Sequence, residues 1–123
     1  MTTSRRQRRV ADLLMEELGV MIALELGDPR LEFVSVTAVE VSPDLRHAHV
    51  YVSHLGTPED EPEILAALGH ATGYLRRELA RRVVLRYIPK LTFHIDDTLA
   101  RARRIDEILE SLHEHDTGPE QED

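Results

Sequence analysis

Two runs of alternating, β-branched residues separated by a short turn constrain this chain more than any other feature. Phe33-Val34-Ser35-Val36-Thr37-Ala38-Val39-Glu40-Val41 predicts one strand and His47-Ala48-His49-Val50-Tyr51-Val52-Ser53 a second. Ser42-Pro43-Asp44-Leu45 between them has turn composition. Side chains alternate across a strand, so Ala48, Val50 and Val52 point one way while His47, His49 and Tyr51 point the other. The pair predicts a hairpin with one apolar face and one wet face. An apolar sheet face must be covered, and the flanking sequence supplies cover with helical periodicity.

Upstream, Val10, Leu13, Leu14, Leu18, Met21 and Ile22 recur at three- and four-residue steps, which predicts a helix with one buried face. Gly27-Asp28-Pro29 ends it, because glycine can take the left-handed closing conformation and proline cannot continue the ladder. Downstream, Gly56–Glu63 is a loop with four acids and two prolines. A short helix starts near Pro62, with Ile64, Leu65 and Leu68 as its apolar face. Gly69-His70-Ala71-Thr72-Gly73 is poor helix former and predicts a kink or tight corner. In the next helix, Tyr74 to about Leu85, the side chains of Leu75, Leu79 and Val83 lie within about 80° of one another. Arg77 and Arg81 project from the opposite side, and Arg76 and Arg82 flank the stripe. Pro89 introduces a third strand, Leu91–Ile95, with Leu91, Phe93 and Ile95 on one face. Phe33 and Phe93 are expected in the core.

Asp96, Asp97 and Thr98 are N-cap chemistry for a last helix, whose stripe is Ala102, Ile105, Ile108, Leu109 and Leu112. From Glu114 to Asp123 the chain holds five acids and no base, the composition of a disordered tail. The order is αββααβα, an α+β domain over residues 1–112 followed by an acidic tail over 113–123. A chain of 123 residues fits one core. No apolar run approaches the ~20 residues of a membrane span. The basic N-terminus leads into an amphipathic segment and not into a signal peptide's apolar run, so a cytoplasmic protein is expected, and a monomer because no sequence feature points to a dimer.

Chemistry is sparse. The chain has no cysteine, which excludes thiol nucleophiles, disulfides and cysteine metal sites. His47 and His49 share a strand face and His54 is near in sequence, but zinc catalysis needs a third ligand and an open position. Asp96 and Asp97 fit a helix cap better than an acid–base pair. Neither a phosphate-binding glycine loop nor a nucleophile motif occurs. No enzyme, metal or cofactor is expected.

The charge pattern says more. Net charge is −8, yet residues 69–105 carry nine of the fifteen Lys and Arg residues against only Glu78, Asp96 and Asp97. Arg5, Arg6, Arg8 and Arg9 form a second cluster at the start of the first helix, where cations oppose the macrodipole and an external anion would suit them. Arginine pairs bidentately with phosphate, and i, i+4 arginines can track a backbone. Aromatics are few (three Tyr, two Phe, no Trp), so recognition of structured RNA by shape and phosphate is favoured over base stacking.

The order αββααβ is that of the type II KH fold. The place of its Gly-x-x-Gly loop is taken by Ala71-Thr72-Gly73. Together with Arg5-Arg6-Gln7-Arg8-Arg9-Val10-Ala11, Val41-Ser42-Pro43-Asp44-Leu45-Arg46, Val50-Tyr51-Val52-Ser53, Leu75-Arg76-Arg77-Glu78-Leu79-Ala80, Pro89-Lys90-Leu91-Thr92-Phe93 and Asp96-Asp97-Thr98 with Ile105-Asp106, this resembles the ribosome-binding factor A family over about residues 4–112. The resemblance implies a KH-like fold in which Ala71 and Gly73 form an inter-helix kink. It implies a non-catalytic assembly factor that binds free or immature 30S particles and 16S rRNA, assists late processing of the rRNA 5′ end and supports growth in the cold. Ribosomal proteins and other assembly factors are further expected partners. The RNA-contacting set is then Arg5, Arg6, Arg8, Arg9, Arg46, Arg76, Arg77, Arg81, Arg82, Arg86, Lys90, Arg101, Arg103 and Arg104. The alternatives are a protein–protein adaptor with the same fold and a His47/His49 metal hydrolase.

Overall fold

A computed structural model describes residues 3–96. The first helix, α1, spans Arg5–Val20 and runs into a π turn, Met21–Glu25, closed by the Leu26 N–H donating to the Met21 carbonyl. Gly27 ends it at φ 67°, the left-handed closing conformation that its sequence predicts. Asp28 then caps a short 3₁₀ turn, Pro29–Leu31, with proline at its first position.

Strand β1, Ser35–Val41, pairs antiparallel with β2, His47–Ser53. Ala48, Val50 and Val52 are buried as alternation requires, and His47 and His49 are exposed on the opposite face. The register slips between Val36 and Ala38, leaving Thr37 as a bulge whose hydroxyl donates to the Asp96 carboxylate at 2.6 Å. The hairpin turn closes with the Leu45 N–H donating to the Ser42 carbonyl, and Leu45 sits at φ 63°.

Beyond a 3₁₀ turn at Pro58–Asp60, helix α2 runs from Glu61 to Arg82 without a break. One helix thus stands where two were expected on either side of Gly69-His70-Ala71-Thr72-Gly73, which overturns the tight corner between them. Ile64, Leu68, Leu75 and Leu79 are all buried. Their spacings of four, seven and four residues form one stripe only if helical phase is kept through the glycines. Tertiary burial therefore overrides weak local propensity. Within this helix the Thr72 hydroxyl back-bonds to the Leu68 carbonyl at 3.0 Å. The helix also ends earlier than expected, since Val83 is already extended.

Strand β3, Lys90–Ile95, joins β2 in parallel, so α2 is the crossover and β2 the central strand of the order β1-β2-β3. Leu14, Leu18 and Met21 of the first helix and its π turn share one core with Leu68, Leu75 and Leu79 of α2 and the inner sheet residues Val50 and Val52. The fold is α+β, a three-stranded sheet with its apolar face against two helices. Phe33 is not in the core: it precedes β1 and is 61% exposed, while Val34 takes the buried place. The expected last helix, the capping role of Asp97 and Thr98, and the acidic tail lie outside the described residues.

Candidate nucleic-acid interface

The arginines fall into groups with different structural fates. In the first turn of α1, Ser4 and Gln7 form a reciprocal capping box: the Gln7 N–H donates to the Ser4 hydroxyl at 3.0 Å, and the Ser4 N–H to Gln7 Oε1 at 2.8 Å. The Gln7 amide nitrogen also donates to the Val41 carbonyl at 2.8 Å, pinning this turn to the end of β1. Arg5, Arg6, Arg8 and Arg9 are exposed around that anchored turn, which holds no acid. None of the four makes a side-chain hydrogen bond or ion pair among the described residues. The Ser4-x-x-Gln7 spacing is a readable capping signal that apolar periodicity alone does not reveal.

The arginines of α2 divide. Arg76 is committed to the protein, donating from Nε to the Pro89 carbonyl at 3.1 Å and from Nη2 to the Ile88 carbonyl at 2.8 Å. Arg82 forks onto Glu25 and also reaches Glu78. These interactions raise its pKa further, so it stays charged at any accessible pH. Arg81 pairs with Glu78 at 2.7 Å but remains largely exposed. Arg77 is exposed and has no ion pair among the described residues.

After α2, residues 83–89 cross back towards the hairpin turn. Arg46 lies over the Tyr87 ring at 4.0 Å, and the Arg86 guanidinium is 5.6 Å from the same ring. Tyr87 is the residue that sequence reasoning leaves out, since a lone aromatic in a loop carries no periodic signal. Lys90 opens β3 opposite His47, and its N–H donates to the Arg46 carbonyl at 2.9 Å. A cleft of about 420 Å³ lies between the basic turn of α1, the hairpin turn and this segment, and brings Arg6, Arg9 and Arg86 to one opening. Asp44 lies at the same cleft, its carboxyl held below the usual range by the Ser42 hydroxyl and then by the Arg46 N–H. Arg101, Arg103 and Arg104 lie outside the described residues.

The histidines are placed differently. His49 Nδ1 and His94 Nε2 approach to 2.8 Å on the wet sheet face, and Tyr51 stacks on His94 at 5.0 Å between centroids. His54 faces Glu61 at 3.2 Å. Among the described residues, no three metal-binding side chains converge. No described helix is long and apolar enough to cross a membrane.

A three-stranded sheet backed by two helices, with three guanidinium groups at one cleft, defines a small α+β domain with a basic opening. The family model described as ribosome-binding factor A matches residues 6–109. A ribosome-binding factor A from Nitrosococcus oceani is 45% identical over 115 residues, covering 94% of this chain and 91% of the relative. The crystal structure of ribosome-binding factor A from Thermus thermophilus aligns with a TM-score of 0.65 at 35% identity, over 72% of this chain and 93% of that one. A homology model of the Thermus thermophilus factor, fitted into a cryo-EM map of a 30S complex, aligns with a TM-score of 0.56 at 33% identity, over 76% and 93% of the two chains. The chain belongs to the ribosome-binding factor A family.

Proposed function

We propose that this protein binds the small ribosomal subunit, as free or immature 30S particles, and assists late maturation including processing of the 16S rRNA 5′ end. It does so without catalysis, as a cytoplasmic monomer that supports growth in the cold. The observation that carries this reading is that the exposed guanidinium groups of Arg5, Arg6, Arg8, Arg9 and Arg77 make no ion pair among the described residues, in a member of this family. Arg5, Arg6, Arg8, Arg9, Arg46, Arg77, Arg81, Arg86 and Lys90 contact rRNA phosphates, for which arginine's planar fork is suited. Arg76 and Arg82 act first as internal ties, because both already donate to protein oxygens.

The test is co-sedimentation with ribosomal particles through a sucrose gradient at low and at raised salt. Protein that travels with free 30S particles, is absent from 70S ribosomes and is released by salt supports the proposal. Arg77→Glu combined with Arg81→Glu should abolish the association without unfolding the domain. Protein that stays at the top of the gradient at both salts would sink the proposal.

A further inference from the structure

We propose that the cleft between the first turn of α1 and the segment after α2 captures one unpaired nucleotide of single-stranded RNA. This rests on the RNA-binding reading above and adds a base-receiving site to it. Three observations converge. The cleft, about 420 Å³, has the size of a small-ligand site. Its walls combine apolar side chains, Leu45 and Leu85, with the Tyr87 ring, while Arg6, Arg9 and Arg86 bring positive charge to the same cleft. Such a cleft fits a ligand that carries a flat ring beside an anion. A nucleotide has that form, and in a duplex both faces of its base are already stacked.

The second observation is the ring itself. Arg46 covers Tyr87 at 4.0 Å and Arg86 lies 5.6 Å from the same ring, yet Tyr87 lines the cleft and stays 39% exposed, so the ring is held by cations at a site open to a ligand. The third is Leu45, which occupies a left-handed turn position where glycine or asparagine is favoured. The turn gains nothing from a leucine there; the apolar side chain serves the core edge and the cleft floor. Asp44 sets the polarity. One of its oxygens accepts from Ser42 and from the Arg46 N–H, and its negative charge directs the phosphate to the α1 side, towards Arg6 and Arg9.

The test is fluorescence anisotropy of the full chain with a labelled single-stranded RNA of about eight nucleotides, and with the same strand in a duplex. The single strand should bind at least about tenfold tighter. Tyr87→Leu should weaken it by about tenfold, the size of one base–aromatic stack, and Tyr87→Phe should restore it to within about twofold. Val84 at the lip is 100% exposed, so Val84→Glu blocks the cleft without disturbing the packing beneath and should weaken the single strand likewise. Equal binding of strand and duplex, or indifference to both Tyr87→Leu and Val84→Glu, overturns the proposal. Adenosine monophosphate bound as tightly as the oligonucleotide also overturns it, since the cleft would then be a free-nucleotide site. The same variants are sedimented with 30S particles. Wild-type protein that fails to associate overturns the functional reading itself, whereas retained association with flat oligonucleotide data overturns the cleft alone.

Discussion

Arg82 near the end of α2 forks onto Glu25 in the π turn that follows α1, with nitrogen–oxygen distances of 2.6 and 3.0 Å. The same guanidinium reaches Glu78 one turn back at 3.0 Å, and Glu17 lies at 3.8 Å. One arginine of the basic block thus ties the two helices together at their C-terminal ends. The Glu25 carboxyl is held below its ordinary value of 4.5, chiefly by the Arg82 hydrogen bond. A lowered folded-state pKa contributes stability above the unfolded value that is lost as pH falls through the folded value. Arg82→Gln should therefore melt earlier than the wild type near neutral pH. The gap should close as pH drops below about 4.5, as thermal melts across pH would record. A gap that stays constant down to strongly acid pH would remove the ion pair as its cause.

Substituting the α1 arginines should act on binding and not on folding. Each of Arg5, Arg6, Arg8 and Arg9 changed to Gln should reduce the slope of log affinity against log salt by about 0.7–0.9 for every phosphate that the variant no longer neutralises. Arg76→Gln should do the opposite, lowering the melting midpoint while leaving the slope unchanged, because its donors are spent on the Ile88 and Pro89 carbonyls. Salt titrations of 30S binding beside thermal melts separate the two kinds of arginine.

Gly73 lies inside a continuous helix, and a Cβ built there meets only the Arg77 guanidinium, at 3.4 Å. Gly73→Ala should raise stability by about 0.5–1 kcal/mol, the gain from replacing glycine in a helix interior. A loss of stability in denaturant titration would show that the position needs glycine's conformational freedom after all.

Gly56 makes the opposite prediction. A Cβ there runs into the Asp60 carboxylate, which accepts from the Thr57 N–H in a capping box. Gly56→Ala should cost about 1 kcal/mol by displacing that cap, and the Asp60→Ala background should absorb most of the loss. Additive losses in the double variant would rule out the cap as the cause.

Leu75 is fully buried in the stripe shared by α2 and the sheet. Leu75→Ala should cost about 2–5 kcal/mol, enough to unfold a large part of a marginally stable domain at room temperature. Circular dichroism during urea titration would measure it.

Much of this architecture is legible in the residues because it follows from periodicity. His47–Ser53 alternates strictly and forms β2 with those bounds. Gly27-Asp28-Pro29 stops the first helix by the expected left-handed turn. The two helices expected on either side of 69–73 are one helix for a physical reason: local propensity there is weak, but Leu68 and Leu75 are two full turns apart on one face, and burying both fixes the helical phase between them. Phe33 fails for a simpler one. Phe33 lies in the turn before β1, closed by the Val34 N–H donating to the Leu31 carbonyl, and that turn carries its ring outward while Val34 enters the core. The positive charge of the candidate interface is visible as composition, whereas its partition is not. Nothing local distinguishes Arg76, spent on two carbonyls, from Arg77 beside it, which has no ion pair among the described residues.

Because β3 joins β2 in parallel and only after α2 has crossed the sheet, one edge of the central strand lacks its partner until residues 90–95 have been made. Some forty residues separate the end of β2 from the end of β3, so a few seconds of synthesis at ~5–20 residues per second pass before the strand that pairs with Val50 and Val52 has been made. That interval exposes an edge strand to any extended segment nearby. Newly made chain released before Lys90 should aggregate, whereas chain that has passed Ile95 closes its own sheet.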